Sequence, residues 1–399
     1  MKTSKTTLQV LILDDDANLE TAIQSKLPKR LAKTSKTVQP RSIVPLVKQL
    51  GERMAAARKS GKIAVKKNEL DDTDVFIVDY DLLDAKKEDY LTGETVAYLA
   101  RCYSSCGLII ALNQFWRQPT FDLSLKPSLE SFADLNLPAD DLEELGLWES
   151  GPWKTYRPWS WPIVPNLVAL MRKRVKDVKS ARIDTRVVEF LGFPQSAIER
   201  LPTASLGLLG GSQSRAESAT LKDILGSPEL GLRGKEASER KRLPDQDSRI
   251  IAARLTAWLN LILSPQDVLV DAPHLAERCP SLLGTNPTQK SFAVTLQHDP
   301  KLPIFNDSKL KKAKLDKDLW FDRPVWFWTE IERQRLTKEI RAPWETGQSR
   351  FVFCEDTSSF EPRSSAKSFQ SDLSSPYRTR YVKQLRGVDY QPAHRLAIS

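Results

Sequence analysis

Leu8-Gln-Val-Leu-Ile-Leu13, followed at once by Asp14-Asp15-Asp16, is the clearest indication of fold in the N-terminal part of this chain. The six residues form a short apolar run of the kind that favours a buried strand. After the acids, Leu19, Ile23 and Leu27 recur at helical spacing. This order predicts a strand, an acidic loop and an amphipathic helix.

The same arrangement returns further along the chain. Asp-Val-Phe-Ile-Val at residues 74–78 is a second strand pattern and leads into Asp79, while residues 93–100 have a helical pattern. Gly-Leu-Ile-Ile-Ala-Leu at residues 107–112 is a third strand pattern and leads into Asn113. Strands that alternate with helices predict an α/β domain with a doubly wound parallel sheet. Such sheets bind ligands beyond the carboxyl ends of their strands, and the acids follow those ends.

The acids at these strand ends suit a hard cation. Mg²⁺ prefers oxygen ligands and usually keeps several waters, so two or three converging carboxylates make a partial cage for it. Asp14, Asp15 and Asp79 are the candidate Mg²⁺ ligands.

Over about its first 180 residues the sequence resembles the receiver domain of bacterial two-component response regulators. The resemblance lies in four stretches: Val10-Leu-Ile-Leu-Asp14-Asp15-Asp16, Val75-Phe-Ile-Val-Asp79-Tyr-Asp-Leu-Leu, Gly93-Glu-Thr and Gly107-Leu-Ile-Ile-Ala-Leu. It implies a receiver or flavodoxin-like sheet with insertions. It also implies that Asp79 is the phosphoacceptor of a phosphorelay and that Asp14 and Asp15 join it in holding Mg²⁺.

Three departures from the family pattern affect the expected chemistry. Asn113 stands where the family has Ser or Thr, and its amide cannot reproduce the hydroxyl switch. The family's Lys-Pro after the fifth strand has two candidates, Lys126-Pro127 and Arg157-Pro158, of which Arg157 is preferred as the second phosphoryl contact beside Asn113. That choice places an acidic insertion before the fifth strand. In addition, a basic stretch lengthens the first half and leaves the second strand poorly defined.

These departures favour a degenerate receiver, used for protein interaction or sensing, over one that is phosphorylated. The phosphorylated form stays open. So does a purely structural alternative, in which the aspartates only cap helices and turns, because Asp is a preferred N-cap residue.

The rest of the chain predicts a three-part organisation. Residues 1–182 form the receiver-like domain, and residues 183–247, which include a Gly- and Ser-rich stretch, form a linker or flexible insertion. Residues 248–399 form a C-terminal α+β effector or interaction domain of unknown fold, with one amphipathic helix and strand-like runs at 324–328 and 350–354.

Composition narrows the class of protein. The 399 residues are 40% hydrophobic and 28% charged, which is typical of a soluble globular protein. Neither a signal peptide nor a membrane span fits, so we expect a cytoplasmic protein without membrane contact. Its four cysteines lack zinc-ligand spacing and are expected to be reduced buried thiols.

Three functions follow in order of preference. The first is a regulatory protein of bacterial signalling or of a multi-protein system, defence systems included, whose receiver-like module docks a protein partner or controls the C-terminal domain. The second is a nucleic-acid-associated protein, because the net charge is +9 and basic clusters occur at 26–67, 172–179 and 309–317. The third is a metal-dependent hydrolase with a divalent metal near Asp271 or Glu355, which also follow strand-like runs. An enzyme is thus less expected than a regulator, and a thiol pair of Cys354 with His274 or His394 is weaker still.

Overall fold

A five-stranded parallel sheet forms the centre of the N-terminal half in the computed structural model. The structure describes residues 8–14, 17–38, 40–60, 67–80, 82, 92–113, 131–149, 163–225, 245–263, 268–297, 299, 301, 305, 310–337, 349–370 and 379–384. The strands are β1 (Val10–Leu13), β2 (Ser35–Val38), β3 (Val75–Asp79), β4 (Leu108–Asn113) and β5 (Leu135–Pro138). Their order across the sheet is β2-β1-β3-β4-β5, and every neighbouring pair is parallel. The expected α/β class with a parallel sheet is confirmed.

The central strands lie in the middle of the sheet because they carry apolar side chains on both faces. All residues of β1 and β3 are buried, as expected for strands covered on both sides. Strand β1 pairs with β3 so that Leu13 lies opposite Val78, and β3 pairs with β4 so that Asp79 lies opposite Leu112. The carboxyl ends of these three strands therefore lie at one edge.

Helices connect and cover the sheet. In chain order they are α1 (Ala17–Lys26), α2 (Lys29–Ala32), α3 (Pro40–Ser60), α4 (Gly93–Tyr103), α5 (Leu145–Trp148) and α6 (Val164–Ser180). Helix α1 packs against β1 and β2, whereas α3 packs against α4. Among the helices that the structure describes, none combines the length and the hydrophobicity of a membrane-spanning segment.

The fifth strand differs from the sequence-based expectation. It lies inside the acidic segment that the sequence places before it, and Asp134 accepts hydrogen bonds from Ile109 N (2.8 Å) and from Arg101 at its start. The strand ends in Leu137-Pro138, and Leu137 is fully buried. Arg157-Pro158 therefore does not directly follow the fifth strand.

Gly93 is the point at which α4 meets β3. A Cβ atom there would overlap the backbone oxygen of Asp79 and lie 2.7 Å from Tyr80 Cα. We expect Gly93→Ala to lower the free energy of unfolding by about 2 kcal/mol or more, since backbone atoms cannot move aside as a side chain can. Urea unfolding measures the change.

Gly51→Ala is the matched control for that substitution. Gly51 lies within α3, and a Cβ atom added to it would have no neighbour within 4 Å. We expect it to raise the free energy of unfolding by about 0.5–1 kcal/mol, because alanine loses less conformational entropy in a helix. Equal effects of the two substitutions would show that α4 does not approach β3 this closely.

Residues 183–225, which the sequence suggests as part of a linker, hold five short helices. These are α7 (Val187–Leu191), α8 (Gln195–Ile198), α9 (Thr203–Leu206), α10 (Gln213–Ser218) and α11 (Leu221–Leu225). Helices α9 and α11 pack against the long helix α12 (Asp245–Ile262), and α10 packs against α7 and α8. The buried Trp258 of α12 donates its indole N–H to Ser205 O at 2.9 Å. This part of the expected linker is folded, whereas residues 226–244 lie outside the described residues. The division of the chain into three domains stays a prediction.

The C-terminal part contains two small sheets. Strands β6 (Leu269–Asp271) and β7 (Val325–Phe327) form an antiparallel pair, followed respectively by helices α13 (Ala272–Arg278) and α15 (Trp328–Arg333), with α14 (Gln289–Ala293) between them in the chain. The second sheet has the order β10 (Lys367–Gln370), β11 (Thr379–Val382), β8 (Phe351–Cys354) and β9 (Ser359–Pro362). In it, β8 and β11 are parallel and the other pairs are antiparallel.

Candidate functional site

Asp14 and Asp79 lie side by side at the carboxyl edge of the parallel sheet. Continuing the register of β1 and β3 by one residue places Asp14 beside Asp79, because Leu13 pairs with Val78. Neighbouring strands lie about 4.8 Å apart, and paired residues of parallel strands share a face. Both residues are buried, with 0% and 2% of their surface exposed. Two of the three predicted metal ligands are thus brought together.

The start of α4 lies next to this pair. Thr92 caps the helix by accepting a hydrogen bond from Thr95 N at 3.2 Å, and Gly93 N donates to Tyr80 O at 3.1 Å. Tyr80 N in turn donates to Leu112 O at 2.9 Å, which ties the end of β3 to β4. The positive end of a helix dipole therefore lies beside Asp79, where it favours negative charge.

Other predicted members of this site lie outside the described residues. Asp15, Arg157 and the alternative Lys126-Pro127 are among them; for Asn113 the backbone position in β4 is described but the side chain is not. Their roles stay predictions. Where the fifth strand ends, the residue before Pro138 is the buried Leu137, so that position supplies no cation.

The chemistry of the donor set fits Mg²⁺. Two adjacent carboxylates offer hard oxygen ligands, and a divalent cation would offset the cost of burying both charges. Within the described ranges, which omit Asp15, no group of three or more His, Cys, Asp or Glu side chains is arranged to hold a metal ion. Asp14 and Asp79 would therefore have to be completed by another ligand or by water.

A second cluster of charged groups surrounds His274 in the C-terminal part. Asp271 ends β6 and caps α13, where it accepts a hydrogen bond from His274 N at 3.3 Å. One turn further along α13 lies Glu277, while Glu355 follows β8 and Arg380 lies in β11. All five residues are buried, with at most 8% of their surface exposed.

The imidazole ring of His274 joins two carboxylates. Its Nδ1 lies 2.6 Å from Asp271 Oδ1, and its Nε2 lies 3.3 Å from Glu355 Oε1. Arg380 binds the same Glu355 oxygen through Nε, at 2.5 Å, and through a terminal nitrogen. A second arginine, Arg323, lies 3.8 Å from Asp271 Oδ2. The cluster therefore connects β6 and α13 to the four-stranded sheet.

Electrostatics favour protonation inside this cluster. Burial alone would lower the pKa of His274, but Asp271 and Glu355 outweigh burial and raise it. Burial raises the pKa of Glu277 to about 7. Burial would also raise the pKa of Asp271, yet His274 and Arg323 hold it below its usual value. The two carboxylates that contact the imidazole ring thus stabilise a proton on His274.

Sequence reasoning finds part of this cluster. Asp271 and Glu355 are candidates because they follow strand-like runs, and the structure brings them together around His274. Glu277 could have been found from its spacing of three residues from His274 on one helix face. Arg380 has no local signal. The cation beside Glu355 is thus the guanidinium of Arg380. It occupies the position that a metal ion would need in the predicted hydrolase.

The predicted thiol pair has little support from the described geometry. Cys354 is fully buried beside Val352 and Tyr381, and burial raises its pKa, so it stays an unreactive thiol. His394 lies outside the described residues.

Several cations of the predicted basic clusters form internal contacts. Arg53 binds Asp71 and donates to Tyr103 O at 2.9 Å, and Arg174 is buried and donates to Trp320 O at 2.6 Å. Further ion pairs are Arg172–Asp74, Lys179–Asp245 and Lys317–Asp177. The described cations of the first cluster that are exposed or half-buried are Lys26, Lys29, Arg30, Lys33, Lys36, Lys48 and Lys67. The nucleic-acid alternative stays a prediction that rests on a smaller set of cations.

Compared with protein-family models, curated proteins and solved structures, the chain matches none. A function must therefore be inferred from the residues at the two sites.

Proposed function

We propose that this chain is a regulatory protein whose N-terminal module is a degenerate receiver that binds Mg²⁺ between Asp14 and Asp79. The observation that carries the proposal is the juxtaposition of these two buried carboxylates at the ends of adjacent parallel strands. The strand order supports it as well, because 2-1-3-4-5 is the order of flavodoxin-like sheets, which bind ligands at this edge.

The proposal is for a module that does not transfer phosphate. Because two carboxylates would already share the charge of Mg²⁺, a phosphoryl group on Asp79 would need a further cation nearby to offset its own charge. The end of β5 offers the buried apolar side chain of Leu137 instead. The module would then respond to metal binding, or to docking of a protein partner, at this edge of the sheet.

Helix α4 is the proposed route from this edge to the rest of the chain. It begins at Gly93, against the end of β3, and ends beside α12. There, the side chain of Gln246 donates to Cys102 O, and Arg249 donates to Ser105 O at 2.7 Å. A shift of α4 at the metal site would move these contacts with α12.

Mg²⁺ binding to the full chain tests the proposal. We expect isothermal titration calorimetry to detect one Mg²⁺ site, and Asp79→Asn to weaken it at least about tenfold because one of the carboxylate ligands is removed. Asp72→Asn is the matched control, since Asp72 is exposed and pairs only with exposed Lys67 among the described contacts. Equal binding by both variants, or no binding by the wild type, would contradict the metal site.

A separate experiment tests whether Asp79 can be phosphorylated. We expect incubation with Mg²⁺ and acetyl phosphate or beryllofluoride to leave Asp79 unmodified, as judged by mass spectrometry of the intact chain. A stoichiometric adduct that Asp79→Asn abolishes would replace the proposal with a phosphorylated receiver.

A further inference from the structure

A cavity of about 220 Å³ lies between α4, α6 and α12. It opens where β4 begins, at Gly107 and Leu108, and thus at the edge of the parallel sheet opposite Asp14 and Asp79. Neither of these aspartates lines it. Its volume is below the range of about 300–1,000 Å³ that is usual for drug-sized ligands, so it suits a smaller molecule.

The floor of the cavity is mostly apolar, and the buried Arg101 that also lines it is paired with Asp134. Val168, Met171 and Val175 form one stripe of α6, and Leu108 and Cys106 close the other side. Burial raises the pKa of the Cys106 thiol to about 12, so this side chain is neutral at physiological pH. The floor can therefore take a short hydrocarbon chain or ring.

The rim of the cavity carries more positive than negative charge. Arg172 contacts Asp74 with a side chain that is 55% exposed, and Arg249 contacts Asp245 at 3.0 Å. Asp245 also binds Lys179 at 3.1 Å, so its charge is already shared. Lys176 forms no ion pair with a described residue. An incoming anion would meet two arginines that are held by ion pairs and one exposed lysine, Lys176.

We propose that this cavity binds a small apolar carboxylate, such as a short fatty acid, with its chain on the α6 stripe and its carboxylate at Lys176, Arg172 and Arg249. The cationic rim disfavours amines, and the small volume excludes nucleotides. Among the described residues no aromatic ring lines the cavity, so base stacking does not contribute. The proposal does not depend on the metal site.

Titration of the full chain with sodium hexanoate tests this assignment. Affinity should rise by about fourfold for each methylene from butyrate to hexanoate, the amount expected when a methylene leaves water for an apolar cavity. Hexylammonium should not bind. Binding of hexylammonium as tightly as hexanoate, or no binding of any carboxylate, would overturn the proposal.

Two variants and one control show whether hexanoate binds in this cavity. Lys176→Glu should weaken hexanoate binding at least tenfold, whereas Lys173→Glu, an exposed lysine of the same helix outside the cavity lining, should not change it. Val175→Phe should abolish binding by filling the floor, provided that its circular dichroism and melting temperature match the wild type. If Val175→Phe does not fold, the lysine pair alone decides, and equal affinities of the two lysine variants would overturn the proposal.

Discussion

Arg380→Met should lower the free energy of unfolding by about 3–5 kcal/mol, the usual cost of removing one partner from a buried ion pair. The guanidinium is buried and binds Glu355, whose carboxylate is 1% exposed. Without it, the buried Glu355 loses its hydrogen bonds from the guanidinium, and His274 is its remaining partner among the described contacts. Equilibrium unfolding in urea measures the loss.

Two further variants separate the buried charge from general damage. Lys383→Met removes an ion pair to Glu361 in which the lysine side chain is 51% exposed, and it should cost less than about 1 kcal/mol. Adding Glu355→Gln to Arg380→Met should recover a large part of the loss, since no uncompensated charge remains. If the double variant is less stable than Arg380→Met alone, the burial of Glu355 without its guanidinium is not the cause.

The central strands could be predicted because their burial is visible in the sequence. Strands β1, β3 and β4 are covered on both faces, so each is a continuous apolar run, and the predicted bounds lie within one or two residues of those observed. The acids at the ends of β1 and β3 follow from the same runs. The meeting of Asp14 and Asp79 then depends only on the two strands being parallel neighbours.

The two edge strands could not be predicted in the same way. Strand β2 reads Ser-Lys-Thr-Val, and only Val38 is buried. Strand β5 has four residues inside an acidic segment and is held partly by the contacts of Asp134 with Ile109 and Arg101. Such strands are formed by pairing with a neighbour, which leaves little periodicity to read.

The short helices of residues 187–225 escape prediction for a related reason. Each has four to six residues, too few to be stable alone, so their formation depends on packing against α12 and against one another. The contact of Phe193 with Trp258, with ring centroids 5.5 Å apart, is an example. The contact of Arg380 with Glu355 could not be predicted either, because only the parallel pairing of β11 with β8 brings the two residues together.

Stability should fall as the pH rises from about 5 to 8, because two groups of the His274 cluster hold protons more tightly in the folded state. Glu277 has a folded pKa of about 7 against 4.5 in the unfolded chain. Between these two pH values only the folded state keeps the proton. The contribution of Glu277 to the free energy of unfolding is therefore complete below pH 4.5 and is lost as the pH rises through 7. The loss amounts to about 3 kcal/mol at 1.36 kcal/mol per pKa unit.

His274 acts in the same direction at higher pH. Its pKa is raised above 6.5 by Asp271 and Glu355, so its contribution is present below pH 6.5 and is lost as the pH rises through its folded pKa. Asp271 acts in the opposite direction at low pH. Its pKa lies below 3.8, so its contribution is present above that value and is lost as the pH falls through its folded pKa. The protein should therefore be most stable at about pH 5.

Glu277→Gln isolates the glutamate contribution. The amide has a similar size and does not titrate, so the variant should be more stable than the wild type at pH 8, and its free energy of unfolding should change less between pH 5 and pH 7. Glu199→Gln, which alters an exposed glutamate, is the matched control and should leave the wild-type pH profile unchanged. Urea unfolding at intervals of half a pH unit measures both. Parallel profiles for Glu277→Gln and the wild type would mean that Glu277 is already ionised in the folded protein, because only a retained proton produces the slope.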